Sequence, residues 1–249
     1  MRILRYDETD STNERALCAI AEGSACDGDV HVARVQTAGR GRRGRPWNSP
    51  PDEGLYLTYV HLPPPPGPRA ESVTVAAGLA LLDAVRSLGL QGASLKWPND
   101  LVLADAKLAG ILVESRGLSR SAPHFAIGIG LNVAQTSFPP ELLAEREVTS
   151  LALQGLESTP EEGLDALLEP LPRRLATAAA DPAALFAEFA VAAGVADREV
   201  RVRAAGRQLR GRLTRLDAET GIEVALPAGG RERVALAHVD AVEAIPDVR

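Results

Sequence analysis

Gly39-Arg40-Gly41-Arg42-Arg43-Gly44-Arg45-Pro46-Trp47 is the stretch that decides how the chain must be built. Its spelling satisfies G-x-G-x-x-G, the fingerprint of a dinucleotide-binding Rossmann unit. That fingerprint has meaning only where the loop opens a helix whose N-terminus faces a pyrophosphate. Here the chain runs on through Pro46-Trp47-Asn48-Ser49-Pro50-Pro51, which cannot be helical. The loop belongs to a different architecture. Its glycines permit backbone conformations other residues avoid, and its arginines are planar, permanently charged donors. Such a loop can close over an anion. A solvated basic turn explains the same composition equally well, so the flanking sequence has to decide.

Toward the N-terminus, Ile3 to Tyr6 reads as a short strand, and Ser11-Thr12-Asn13-Glu14 opens a helix to about Glu22. Ser11 and Glu14 have capping-box spacing. Short polar side chains at a helix start stand beside exposed amide donors, although plain capping is the simpler reading. His31 to Val35 is a strand that delivers the arginine loop, and Gly54 to Leu62 is an apolar strand stopped by the run Pro63 to Pro66.

Beyond the prolines, Ser72 to Leu88 has helical periodicity and Gly89 as its stop. Ser94 to Trp97, Leu101 to Leu103, Ala109 to Glu114 and His124 to Val133 are strand-like. Lys96-Trp97-Pro98-Asn99-Asp100 packs a cation, an aromatic, an amide and a carboxylate into one tight turn, the plainer reading being Asx-turn chemistry. Lys107 heads an apolar strand and either points into a site or snorkels to solvent. Ile127-Gly128-Ile129-Gly130-Leu131-Asn132-Val133 alternates glycine with apolar residues, which suits a strand approached closely by a ligand.

Pro160 to Ala179 and Pro182 to Ala193 read as helices. After about residue 194 the pattern turns to short β segments at 200–203, 209–216, 222–226 and 233–239. That is the signature of a small antiparallel barrel of about five strands. The expected domains are 1–196 and 197–249.

Composition narrows the function. The chain has 249 residues and a net charge of −6, which disfavours a dedicated nucleic-acid binder. Cys18 and Cys26 form no CxxC pair, and the histidines have no metal-ligand spacing, so no protein metal site is expected. The N-terminus turns acidic too early for a signal peptide, and no apolar run is long enough to cross a bilayer. A cytoplasmic protein with no membrane partner is expected.

Taken in order, DSTN (10–13), QTAGRGRRGRPW (36–47), KWPNDL (96–101), KLAGILVE (107–114) and GIGLNV (128–133) resemble the catalytic domain of biotin protein ligases. The resemblance is dense from about residue 3 to 135 and continues by pattern into the C-terminal barrel. It implies an α+β fold: a mixed-sheet catalytic domain of the class II aminoacyl-tRNA synthetase and biotin protein ligase type, then a small SH3-like β-barrel. It implies ATP-dependent activation of biotin to biotinyl-5′-AMP, with Mg²⁺ on the phosphates. Transfer to a lysine of a biotin carboxyl carrier protein would follow.

By motif, Ser11, Thr12, Asn13 and Gln36 would hold biotin. Arg40, Gly41 and Arg42 would close over biotin and the adenylate phosphate, and Lys107 would contact the biotin carboxylate and the α-phosphate. Arg43, Trp47, Lys96, Asn99 and Asn132 would face the nucleotide. Lys107, Arg42 and Arg40 are the expected catalytic residues. Some members of the family carry an N-terminal winged helix; here the motifs begin at Asp10, and no DNA binding is expected of a monomer or homodimer. A lipoate or octanoate ligase and a non-catalytic biotin-binding regulator are the alternatives.

Overall fold

A computed structural model of the chain describes residues 1–115 and 123–246. The first strands are β1 (Ile3–Thr9), β2 (Val30–Gln36) and β3 (Gly54–His61), with α1 (Thr12–Ala21) between β1 and β2. Helix α2 (Ala70–Ser87) follows, then β4 (Ala93–Lys96), β5 (Asp100–Leu103), β6 (Ala106–Glu114) and β7 (Phe125–Asn132). The seven strands form one sheet in the order β1-β2-β3-β7-β6-β5-β4. β1 runs parallel to β2 and the remaining neighbours are antiparallel, so the sheet is mixed, as expected.

Strand alternation divides the residues between two faces. On β3, Leu55, Leu57 and Tyr59 enter the main core, together with Ile127, Ile129 and Leu131 of β7. That core is closed by α2, whose Val73, Ala76, Leu79, Ala80 and Leu81 are fully or almost fully buried. The opposite face carries α1, where Ala16 and Leu17 pack on Val60 and Ala126. Thr58, Gly128 and Gly130 belong to this second face. It is short of bulky side chains beside α1, and there the cavity forms.

Helices α3 (Pro140–Glu145), α4 (Pro160–Leu168), α5 (Pro170–Ala180) and α6 (Pro182–Ala192) follow. The C-terminal strands β8 (Glu199–Ala204), β9 (Arg207–Asp217), β10 (Gly221–Ala225), β11 (Arg231–Val234) and β12 (Val239–Ala244) make a separate five-stranded sheet, ordered β11-β10-β9-β8-β12. Every pairing in it is antiparallel, which suits a small barrel. Its buried Val200, Val202, Ile222 and Val224 join the same apolar cluster as the main core. Trp97 stands at this junction, edge-on to Phe189 and donating its Nε1–H to the Val239 carbonyl at 3.1 Å.

Three local expectations are corrected. Ser11 is the N-cap of α1 but makes no side-chain capping bond; its N–H, which a capping box would give to Glu14, donates to Asp10 Oδ1 at 2.6 Å, and Glu14 pairs with Arg40. The reciprocal box forms at Thr159 and Glu162. The helix expected over 160–179 is two helices, since Pro170 cannot donate to the preceding turn. The strand expected over 233–239 is interrupted by a 3₁₀ turn at Leu236–His238, which separates β11 from β12. Helix α3 went unforeseen, being only six residues long.

Candidate active site

The arginine loop leaves β2 and folds back on itself. Gly41 N–H donates to the Arg45 carbonyl at 2.7 Å, and Trp47 N–H donates to Gly39 at 2.9 Å. The tip is a single 3₁₀ turn, Arg42–Gly44, and Pro46 follows it; no α-helix starts here. Beneath this hairpin lie two adjoining cavities. The inner one, of about 50 Å³, sits against α1 and the glycine face of β6 and β7. The outer one, of about 710 Å³, opens between the hairpin, the 96–100 turn, α3 and the C-terminal barrel.

All eight residues expected on the acid side line the inner cavity: Ser11, Thr12, Asn13, Gln36, Arg40, Gly41, Arg42 and Lys107. Thr12, Asn13 and Gln36 are tied into one polar network through Thr58. Gln36 Oε1 accepts from Thr12 N–H at 2.9 Å, and Gln36 Nε2 donates to Ser49 Oγ at 3.1 Å. Asn13 Nδ2 donates to the Leu112 carbonyl at 3.2 Å and to Glu114 at 2.8 Å. Arg40 lies between two carboxylates, 3.0 Å from Glu14 and 3.7 Å from Glu114. Such a network holds polar ligand groups in one geometry because its members have little freedom left.

Glycines create the room. A Cβ on Gly128 would run into the Asn13 amide, and one on Gly130 into the Trp47 indole, so β7 must present bare backbone at both positions. Trp47 lies against Gly110 as well and lines both cavities, with the Lys107 ammonium 5.4 Å from its ring centre.

Lys107 points into the site rather than snorkelling. Its side chain is 14 % exposed and donates to Asp100 Oδ1 at 2.6 Å. Burial pulls its pKa below the ordinary lysine range, and Asp100 opposes that shift. The Arg42 guanidinium is likewise lowered, first by burial and then by Arg43 beside it. Arg42 and Lys107 both line the inner and the outer cavity, so they stand where the two meet.

The five residues expected at the nucleotide, Arg43, Trp47, Lys96, Asn99 and Asn132, all line the outer cavity. Asn99 donates to the Ile111 carbonyl at 2.8 Å and accepts from Arg42 at 3.5 Å, linking the turn to the hairpin. Asn132 is buried and donates to Thr149 at 2.8 Å. Lys96 is turned toward Asp105, 3.3 Å away. Arg43 at the hairpin tip pairs with Asp240 of β12.

Four contributors were missed from the sequence. Thr58 is fully buried and donates to Asn13 Oδ1 at 2.5 Å; its signal was the single small polar residue in the aliphatic and aromatic run Leu55 to Val60. Glu114 and Asp100 sit inside quoted motifs without an assigned partner. Asp240 carried no local signal. Among the described residues no three His, Cys, Asp or Glu side chains are grouped to hold a metal. Of the carboxylates lining the outer cavity, Asp100 pairs with Lys107 and Asp240 with Arg43. No helix among the described residues is long and apolar enough to cross a membrane.

The chain is an α+β protein with two adjoining cavities under one arginine hairpin, flanked by a small five-stranded antiparallel C-terminal sheet. The chain belongs to the biotin/lipoate A/B protein ligase family, whose pattern matches residues 6–132. It is similar to the bifunctional ligase/repressor BirA of Salmonella typhimurium, 41 % identical over 141 residues, which cover 56 % of this chain and 43 % of that protein. It is 39 % identical over 148 residues to the biotin–[acetyl-CoA-carboxylase] ligase of Mycobacterium tuberculosis, covering 58 % of this chain and 52 % of that one. The chain thus matches about half the length of these curated relatives. Its fold matches the biotin protein ligase of Aquifex aeolicus in complex with biotin and ATP over 98 % of this chain and 99 % of that chain, with a TM-score of 0.78 and 25 % identity.

Proposed function

We propose that the chain activates biotin with ATP and transfers it to a lysine of a biotin carboxyl carrier protein. The observation that carries this reading is the position of Lys107 and Arg42, shared by both cavities. A small carboxylic acid in the inner cavity would direct its carboxylate to that junction, and a nucleotide in the outer cavity would direct its α-phosphate there. Two anions approach each other only if cations lie between them.

In the first step a biotin carboxylate oxygen attacks the α-phosphorus, a P–O–C(acyl) mixed anhydride forms, and pyrophosphate leaves. Lys107, Arg42 and Arg40 lower the repulsion, and Ser11, Thr12, Asn13, Gln36 and Gly41 orient the acid. Trp47, Asn99, Asn132, Lys96 and Arg43 attend the nucleotide. Mg²⁺ enters as the companion of the triphosphate. In the second step the acceptor amine attacks the acyl carbon and AMP departs. No nucleophilic side chain is needed.

We take residues 1–196 as the catalytic unit and 197–249 as the barrel unit, and the reducing cytoplasm as the compartment of a chain with two free cysteines. The net charge of −6 and the pairing of Arg40 and Arg43 with carboxylates and of Arg42 with a side-chain amide oppose a DNA partner for a monomer or homodimer. The test is transfer of labelled biotin to a carboxyl-carrier domain, with lipoate and octanoate as competitors. Biotin-specific transfer supports the reading. Preferential use of lipoate or octanoate, or biotin binding without pyrophosphate release, overturns it.

A further inference from the structure

We propose that Asp240, on the C-terminal barrel, is the positioning residue that holds the arginine hairpin across the mouth of the outer cavity. This rests on the reading of that cavity as the nucleotide side. Arg43 sits in the 3₁₀ turn at the hairpin's tip and takes φ +59°, a left-handed conformation that residues other than glycine seldom adopt. A strained tip needs an external partner to persist, and the described partner of Arg43 is Asp240.

Asp240 is placed for this task by its own strand. The register of β12 against β8 shifts between Val239 and Ala241, so Asp240 stands at an irregularity that re-aims a side chain out of the ladder. The residue before it is fixed from the other direction, since the Val239 carbonyl accepts the buried Trp97 indole N–H at 3.1 Å. One turn of the catalytic sheet therefore locates β12, and β12 locates the hairpin. Both Arg43 and Asp240 line the outer cavity, so the contact spans its rim. The barrel thereby orders the hairpin before ligand arrives, which reduces the entropy cost of closing it over an adenylate.

The experiment uses the full chain and the variants Asp240→Asn, Asp240→Glu, Arg43→Ala and the double variant Arg43→Ala/Asp240→Asn. Two quantities are read: tryptic cleavage within residues 39–47 without ligand, and release of preformed biotinyl-AMP. An ion pair this exposed predicts that Asp240→Asn raises both rates by about two- to fivefold. Asp240→Glu restores the wild-type values, Arg43→Ala reproduces the effect on cleavage at the remaining arginines, and the double variant adds nothing further. Wild-type rates of cleavage and release in Asp240→Asn would overturn the proposal, as would full additivity of the two substitutions. If the wild-type chain forms no adenylate, the proposed function fails, while the cleavage measurement still decides whether Asp240 anchors the hairpin.

Discussion

The inner and outer cavities adjoin beneath the same hairpin yet are built on opposite plans. The inner one is small, and its walls are already hydrogen-bonded to one another through Gln36, Thr58, Asn13 and Glu114. The outer one is wide, and more of its polar groups stand at the rim, Arg43 and Lys96 among them. A preorganised pocket discriminates by shape, because a wrong ligand leaves buried donors and acceptors unpaired. A wide basic rim handles charge and tolerates variation. Identity of the acid should therefore be decided inside, and capture of the phosphates outside.

Substitution at the junction should erase the distinction. Lys107→Ala should slow adenylate formation by about 10²–10³-fold, as measured by biotin-dependent pyrophosphate release. Near-normal release would remove Lys107 from the chemistry. Its charge also sets a pH limit. Burial lowers the Lys107 pKa, so the ammonium is lost earlier as pH rises. The alkaline limb of the pH–rate profile should lie below the ordinary lysine value of 10.5 and move upward in Lys107→Arg. An unchanged limb would assign that titration to another group.

The next effect separates the cavities. An alanine at Gly128 would push the Asn13 amide out of the inner network. The KM for biotin should rise by about tenfold, corresponding to about 1.4 kcal/mol, with the KM for ATP little changed. Equal increases in both would show that the two cavities act as one. Thr58→Val should raise the KM for biotin by a smaller factor of roughly five, since it deletes the buried hydroxyl that contacts Asn13 and Thr12. Direct titration of biotin by calorimetry would read the same loss.

Much of this was legible because it is local. The alternating glycines at 128 and 130 follow from the two-residue period of a strand and marked the ligand face without any structure. The prolines after Arg45 excluded a helix and with it the Rossmann reading. What was not legible depends on partners distant in sequence. Glu14 pairs with Arg40, 26 residues later, while the Ser11 N–H it was expected to cap goes to Asp10. Asp240 meets Arg43 across 197 residues, and no spacing rule reaches that far. Thr58 was readable in principle, as the single small polar residue in an aliphatic and aromatic run, but its partner Asn13 lies on α1.

The smallest expected effect on activity lies in the barrel, which the comparison treats as support. Glu223 is buried between Arg231 and Arg233, and the Arg233 contact is the main cause that holds its pKa at about 2 instead of 4.5. A depressed carboxylate contributes stability above its unfolded pKa and loses it as pH falls toward the folded value. Thermal stability should decline between pH 4.5 and about 2, and Glu223→Gln should flatten that decline. An identical pH dependence in the variant would place the acid sensitivity elsewhere.

The most direct test of the central claim is a single-turnover experiment with radiolabelled ATP and biotin, quenched before and after addition of a carboxyl-carrier domain. The account predicts that biotinyl-5′-AMP accumulates with one pyrophosphate per active site, then disappears as one lysine of the carrier becomes biotinylated. Absence of a biotin-dependent adenylate, or an adenylate that forms but is not consumed by the carrier, would contradict it.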